Sequence, residues 1–326
     1  MFLHTRFVTV ALCAAVVAGC GAKADGDGAA PVSTGPAAAS SSPIGAARAG
    51  DQAPPAEQTG GFDGQRAFAH VVKQVGFGPR PSGSAAIGQL QEYIQSELAS
   101  YGCKVDVDSF SADTPVGRLP MKNIVAKIPG DKAGIIMLAT HYDTKRLENF
   151  VGADDGASST AVMLELARLL CVRRGPYQVW ITFFDGEEAV KFIWQDPDNR
   201  YGSRQMAAKL AMSGDLQKIK AVLLADMVGS RNLRFRREAD STKALTDLIW
   251  STATRLGYSD IFVNESSSTV DDHIIFLKRG VPSVDVIDFE IPYWHTVDDT
   301  LDKVTAKSVA TTGHVFLESV KQLQSK

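Results

Sequence analysis

The run ITFFDGEEAV, Ile181 to Val190, is a short apolar segment that stops at Asp185 and Gly186 and continues into two adjacent carboxylates, Glu187 and Glu188. Tyr177 to Phe184 has the β-branched and aromatic make-up of a buried strand. The acids therefore emerge at its C-terminal edge, where open α/β sheets place their ligands. An isolated Glu-Glu pair is most often a solvated strand end. Other strand ends in this chain carry similar residues, and that moves the reading toward chemistry.

Upstream, Ile135 to Thr140 is a continuous apolar strand that delivers His141, Tyr142 and Asp143. After the loop Gly152-Ala153-Asp154-Asp155-Gly156, the run Ala157 to Leu170 is apolar on nearly every side, as a buried helix is. Downstream, Ala221 to Ala225 is a further strand ending at Asp226. Val281 to Ile287 is the last, followed by Pro292, Tyr293, Trp294 and His295. Helices are predicted over Gln65–Val75, Ala85–Tyr101, Ser203–Met212, Thr242–Leu256, Asp271–Lys278 and Lys303–Leu323, and strand-like runs over Lys104–Phe110 and Asn123–Ile128. Apolar strands alternating with helices indicate an α/β fold. The expected form is a single three-layer domain, with a central, mostly parallel, twisted sheet flanked by helices.

That domain is expected over residues 62–326. Before it, residues 1–19 read as an export signal, with Arg6, an apolar stretch from Phe7 to Val17, and then Ala18 and Gly19 ahead of Cys20. Val17-Ala18-Gly19-Cys20 resembles a bacterial lipobox, which implies cleavage before Cys20 and lipid on its sulfur; an ordinary secretory signal is the alternative. Residues 20–61 are rich in Ala, Gly, Ser and Pro, with no aromatic residue until Phe62, and read as a flexible tether. The chain is thus expected to be exported to the periplasm or cell envelope, touching the membrane only through its lipid. The net charge of −3 offers no basic field for nucleic acid and favours a small or peptide partner. With Cys13 in the signal and Cys20 lipidated, Cys103 and Cys171 remain, free to pair in an oxidising compartment if the fold brings them together.

His141, Asp143, Asp155, Glu187, Glu188, Asp226 and His295 all fall at or near strand ends. Imidazole with carboxylate suits a catalytic zinc, which takes three protein ligands and leaves a position open. A lone His141 or His295 is more often structural, and Asp226 could cap a helix. Their repetition carries the argument, because so many acids in one cleft are costly without a cation.

In order along the domain, Thr140-His141-Tyr142-Asp143-Thr144-Lys145, Gly152-Ala153-Asp154-Asp155, Met163-Leu164-Glu165-Leu166-Ala167-Arg168, Phe183-Phe184-Asp185-Gly186-Glu187-Glu188-Ala189, Tyr201-Gly202-Ser203-Arg204, Asp271-Asp272-His273-Ile274 and Trp294-His295-Thr296 resemble the animal-type glutaminyl-peptide cyclotransferases, or glutaminyl cyclases, of the zinc-aminopeptidase-like M28 superfamily. The resemblance implies one zinc per chain on Asp155, Glu188 and His295. It also implies Glu187 as proton carrier, Asp226 and Asp271 as acids around the substrate, and a non-proline cis bond after Asp155. Trp194 and Trp294 match aromatic residues of the pocket, whereas Trp180 and Trp250 read as core. The segment Asp288 to Pro292 is shorter than in the animal enzymes, and Ile291 is taken as the substrate contact there, with Phe289 the other candidate. Thr140 and Thr160 replace a cysteine pair, and an extra residue precedes Trp194.

The implied reaction is conversion of N-terminal glutamine of peptides to pyroglutamate with release of ammonia by a monomeric enzyme. A two-metal zinc aminopeptidase of the same superfamily is the rival, with His141 and Asp226 on a second ion and Asp155 bridging. A non-catalytic lipoprotein using the old cleft to bind a ligand is the more distant alternative.

Overall fold

In the computed structural model, which describes residues 50–325, the chain runs through α1 (Gly64–Val75), α2 (Ala85–Ser100), β1 (Lys104–Thr114), β2 (Gly117–Ile128), β3 (Ile135–His141), α3 (Ala157–Leu170), β4 (Gln178–Phe184), α4 (Tyr201–Ser213), β5 (Ile219–Asp226), β6 (Phe235–Glu238), α5 (Lys243–Arg255), β7 (Phe262–Ser267), α6 (His273–Leu277), β8 (Ser283–Ile287) and α7 (Ala306–Gln324). The expected signal segment, Cys20 and the tether as far as residue 49 lie outside the described residues.

A six-stranded sheet in the order β1-β2-β4-β3-β5-β8 forms the centre. β4, β3, β5 and β8 are mutually parallel, and the β1/β2 hairpin is added antiparallel to β4. Strand side chains alternate between faces. On β4, Val179, Ile181 and Phe183 join a core formed with α1, α2, α3, α5 and α7, while Trp180 and Phe184 join a second core with α4 and α6. Both faces are therefore covered, as the apolar strands require, although most helices lie on one face.

The connection leaving β3 passes to β4, and the connection leaving β5 passes the other way to β8. Loops that diverge in this manner open a crevice at the C-terminal ends of β3 and β5, where an open α/β sheet binds its ligand. His141 ends β3 and Asp226 ends β5.

Two features differ from the sequence expectation, and a third settles a pairing it left open. Residues 50–61, assigned to the tether, are structured. Ala56–Thr59 form a 3-10 turn, the Lys307 N–H donates to the Asp51 carbonyl at 3.1 Å, and Thr59 and Phe62 are buried. The cause is tertiary: α7 offers Gly313, where a Cβ would stand 2.2 Å from the Phe62 ring, so the ring seats directly on the helix backbone. Second, β6 and β7 pair in parallel as a separate two-stranded sheet. Their charged residues, Arg236, Arg237 and Glu265 among them, hide the strand pattern. Third, Cys103 and Cys171 form a disulfide.

Candidate metal centre and active site

Asp155, Glu188 and His295 come from three separate loops, yet their ligand atoms lie within 4.8 Å of one another. His295 Nε2 is 3.0 Å from Glu188 Oε1 and 3.4 Å from Asp155 Oδ2. Two ligands on one tetrahedral zinc stand roughly 3.3 Å apart, so the donor types and spacings fit that ion. The other oxygen of Glu188, Oε2, is buried with no hydrogen-bond partner among the described residues and lies 3.7 Å from Lys145 Nζ. His141, Asp155 and Asp226 form a second such group that shares Asp155. His141 Nε2 is 2.9 Å from Asp226 Oδ1 and 3.3 Å from Asp155 Oδ1, so each oxygen of Asp155 faces one imidazole.

The backbone explains the convergence. The carboxylate of Asp143 accepts the consecutive N–H groups of Glu187 and Glu188 at 3.1 and 3.3 Å, which turns the chain sharply as it leaves β4. Asp185 is tied down separately. It accepts from Ser82, Gln91, Tyr142 and the Lys122 N–H, and so anchors the strand end instead of facing the cavity. Thr140 and Thr160, at the positions of the absent cysteine pair, both donate at 2.9 Å to the carbonyl of His141. His295 itself occupies the left-handed region at φ 51°, a conformation uncommon outside glycine. It is held by the Trp294 ring stacked at 4.0 Å and by Phe150 edge-on at 5.9 Å.

The peptide after Asp155 corrects the expected cis bond: among the described residues the only cis bond is Asp196-Pro197, so Asp155-Gly156 is trans. The tight turn is made instead by positive φ at Gly152 (50°) and Gly156 (88°).

The electrostatics favour a bound cation. Burial alone would lower the His141 imidazole, but Asp226, Asp143 and Asp155 hold it well above its ordinary value. Burial likewise opposes protonation of His295, yet Glu188 and Asp155 raise it to about 10. Burial would raise Asp155, and the two imidazoles hold it below the usual carboxylate range. Burial lifts Asp226 to about 7 against the pull of His141. Glu187 is pushed well above its ordinary value by burial, with His141 opposing and Asp271 and Glu188 adding to the rise. Acids gathered out of water around two imidazoles draw in protons, and a divalent ion satisfies the same demand.

Asp155, Glu187, Glu188, Asp226 and His295 border a cavity of about 200 Å³, lined also by Trp194, Trp294 and Asp271, whereas His141 is buried behind Asp155 and Asp226 and does not line it. Trp180 and Trp250 are in the core as expected. Ile291 corrects the expectation. It does not line this cavity but packs with Met227, Ile287 and Tyr293, because the loop after β8 turns it inward. Phe289 lines the cavity instead, edge-on to Trp294 at 4.9 Å. Sequence reasoning also missed Met227, Thr269 and Val270 on the wall, for which spacing gives no signal. Lys145 lies four residues beyond the end of β3, in the run Thr140 to Lys145, where a lysine close to a strand end is the available clue.

Residues 123–320 match the model of peptidase family M28. The glutaminyl-peptide cyclotransferase of Drosophila melanogaster is 30% identical over 270 residues, covering 73% of this chain and 76% of the fly protein. Among solved structures, an Acidobacteriales bacterium glutaminyl cyclase is 39% identical, with a TM-score of 0.76 over 81% of this chain and 95% of its own. A Zn-dependent exopeptidase from Parabacteroides distasonis is 27% identical, with a TM-score of 0.73 over 79% and 97%.

Proposed function

The chain belongs to peptidase family M28 and, within it, to the glutaminyl-peptide cyclotransferases, and from that premise we propose that its cleft closes the N-terminal glutaminyl residue of peptides into pyroglutamate and releases ammonia. The observation that carries the reading is the position of Glu187 beside the Asp155, Glu188 and His295 donor set, in a cavity walled by Trp194 and Trp294.

Asp155, Glu188 and His295 would hold one zinc per chain, which when bound would supply Lewis acidity toward the γ-carbonyl of the substrate. The α-amine and the carboxamide of an N-terminal glutamine share one flexible tether. Fixing that tether in a ring-like shape removes most of the barrier that positioning can remove. Trp194, Trp294 and Phe289 pack against its methylenes, and Asp226 and Asp271 accept hydrogen bonds from its polar groups. Glu187 takes the proton of the attacking amine and returns it to the departing nitrogen. No side-chain nucleophile is required, and Ser159 and Ser203 are engaged elsewhere, with Thr140 and the Arg200 carbonyl.

The second triad favours one other reading, a two-metal aminopeptidase. Turnover of a Gln-peptide beside a Leu-peptide, with zinc counted per chain, separates them. Cyclisation with one zinc supports the cyclase, and release of leucine with two zinc ions overturns it.

The same proposal includes export and a lipid on Cys20, with the enzyme acting as a monomer in the cell envelope. The Cys103–Cys171 disulfide supports an oxidising compartment. Replacing Cys20 with Ala should release activity from the membrane fraction, and retention there would refute the anchor.

A further inference from the structure

The turn that presents Asp155 is gripped from two sides. It folds back so tightly that a Cβ on Gly152 would stand 2.3 Å from the Asp155 carbonyl oxygen. On one side the buried Arg80 guanidinium donates to the carbonyls of Val151 at 2.9 Å and Gly152 at 3.3 Å. On the other side Asp299 accepts. Its Oδ1 takes the Asp154 N–H at 2.8 Å, its Oδ2 takes the Asp155 N–H at 3.0 Å, and its own carbonyl takes the Ala153 N–H at 3.2 Å. Asp299 is fully buried and lies in the loop that carries His295.

We propose that Asp299 is a positioning residue for the metal centre, its carboxylate setting the separation between Asp155 and His295. The inference rests on the reading of those two residues as metal ligands. One loop supplies a ligand and also the group that holds the neighbouring ligand's backbone, so the 3.4 Å spacing of His295 Nε2 and Asp155 Oδ2 is built into a single hydrogen-bonded unit. Asp154 reinforces it, accepting from the Tyr293 hydroxyl at 2.9 Å and from the Gly229 N–H at 2.8 Å.

Only a carboxylate offers two coplanar acceptors to consecutive N–H groups. An amide in its place turns a donor toward one of them, and an alanine leaves both buried without partners. Asp143 does for Glu188 what Asp299 does for Asp155, since it accepts the Glu188 N–H at 3.3 Å. Each carboxylate ligand thus has its own backbone amide held by a second acid that does not ligate. Partners of this kind commonly contribute 10- to 100-fold in metal affinity.

The test is the zinc dissociation constant, measured by competition with a chromophoric chelator, for the wild-type chain, Asp299→Asn, Asp299→Ala and Asp155→Asn, alongside melting of each metal-free protein. Zinc binding should weaken roughly 10- to 100-fold in Asp299→Ala and by less in Asp299→Asn, which keeps one acceptor. A purely structural role lowers the melting temperature and leaves the dissociation constant of the folded protein unmoved. Wild-type zinc affinity in Asp299→Asn, beside a weakened Asp155→Asn, overturns the proposal even if Asp299→Ala does not fold. Wild-type affinity in Asp155→Asn overturns the ligand assignment itself, and this inference with it.

Discussion

His141 Nε2 stands 2.9 Å from Asp226 Oδ1, with both residues buried at the crevice between β3 and β5. The contact gives Asp226 a fixed orientation toward the cavity and uses the imidazole as a hydrogen-bonding neighbour. In a cyclase, His141→Ala should leave zinc near one per chain while turnover falls, because Asp226 loses its partner. A loss of one of two bound ions, read by metal analysis, would instead establish the two-metal site.

Glu187 and Glu188 are adjacent but are expected to respond differently. Glu187→Gln should keep its zinc and its fold and lose about two to four orders of magnitude in turnover, the usual contribution of a positioned acid or base. Glu188→Gln should weaken zinc binding, with partial rescue by excess zinc that Glu187→Gln does not share. Near-wild-type turnover of zinc-loaded Glu187→Gln would place the proton carrier at Asp226 or Asp271.

The Cys103–Cys171 disulfide ties the end of α2 to the end of α3 across a sequence separation of 68. Closing a loop of that size in the unfolded chain is worth about 4 kcal/mol in the loop-entropy description. Cys103→Ser should lower the denaturation midpoint accordingly while leaving kcat/KM at 25 °C unchanged, since both cysteines are remote from the cavity. An unchanged midpoint would remove the disulfide from the account of stability.

His70 is buried between two phenols, with Nδ1 2.5 Å from the Tyr93 oxygen and Nε2 3.2 Å from that of Tyr101. Burial lowers it from 6.5 to about 4, with Glu97 opposing. Because the folded value is depressed, the unfolded chain takes up the proton first as pH falls. The stabilisation is complete above about pH 6.5 and is lost on the way down to about 4, on the order of 3 kcal/mol in all. Urea denaturation of wild type and His70→Gln across that range should show a shallower decline in the variant. Parallel curves would exclude His70 as a source of the acid sensitivity.

Much of this protein was legible from local chemistry. The apolar runs of β3, β4 and β5, and α3 with apolar residues on almost every side, identify a sheet covered on both faces, because residue type and periodicity are properties of a few consecutive positions. Acids and imidazoles at the ends of those runs marked the crevice for the same reason. The β1/β2 hairpin extended beyond the runs Lys104–Phe110 and Asn123–Ile128 because its outer half is an edge ladder held by the backbone, to which polar side chains are no obstacle.

The rest depended on distance in space. Whether Cys103 meets Cys171, whether Ile291 or Phe289 faces the cavity, and how Asp155 is presented are set by contacts between residues far apart in the chain. Residues 50–61 look like linker by composition, yet they are ordered by α7 and the cleft left by Gly313. The sequence by itself determined the layers of the fold and the acids and imidazoles that gather at the crevice. The tertiary structure decided which oxygen faces which imidazole, because that follows from buried hydrogen bonds, such as those Asp299 and Asp143 accept, that no local pattern encodes.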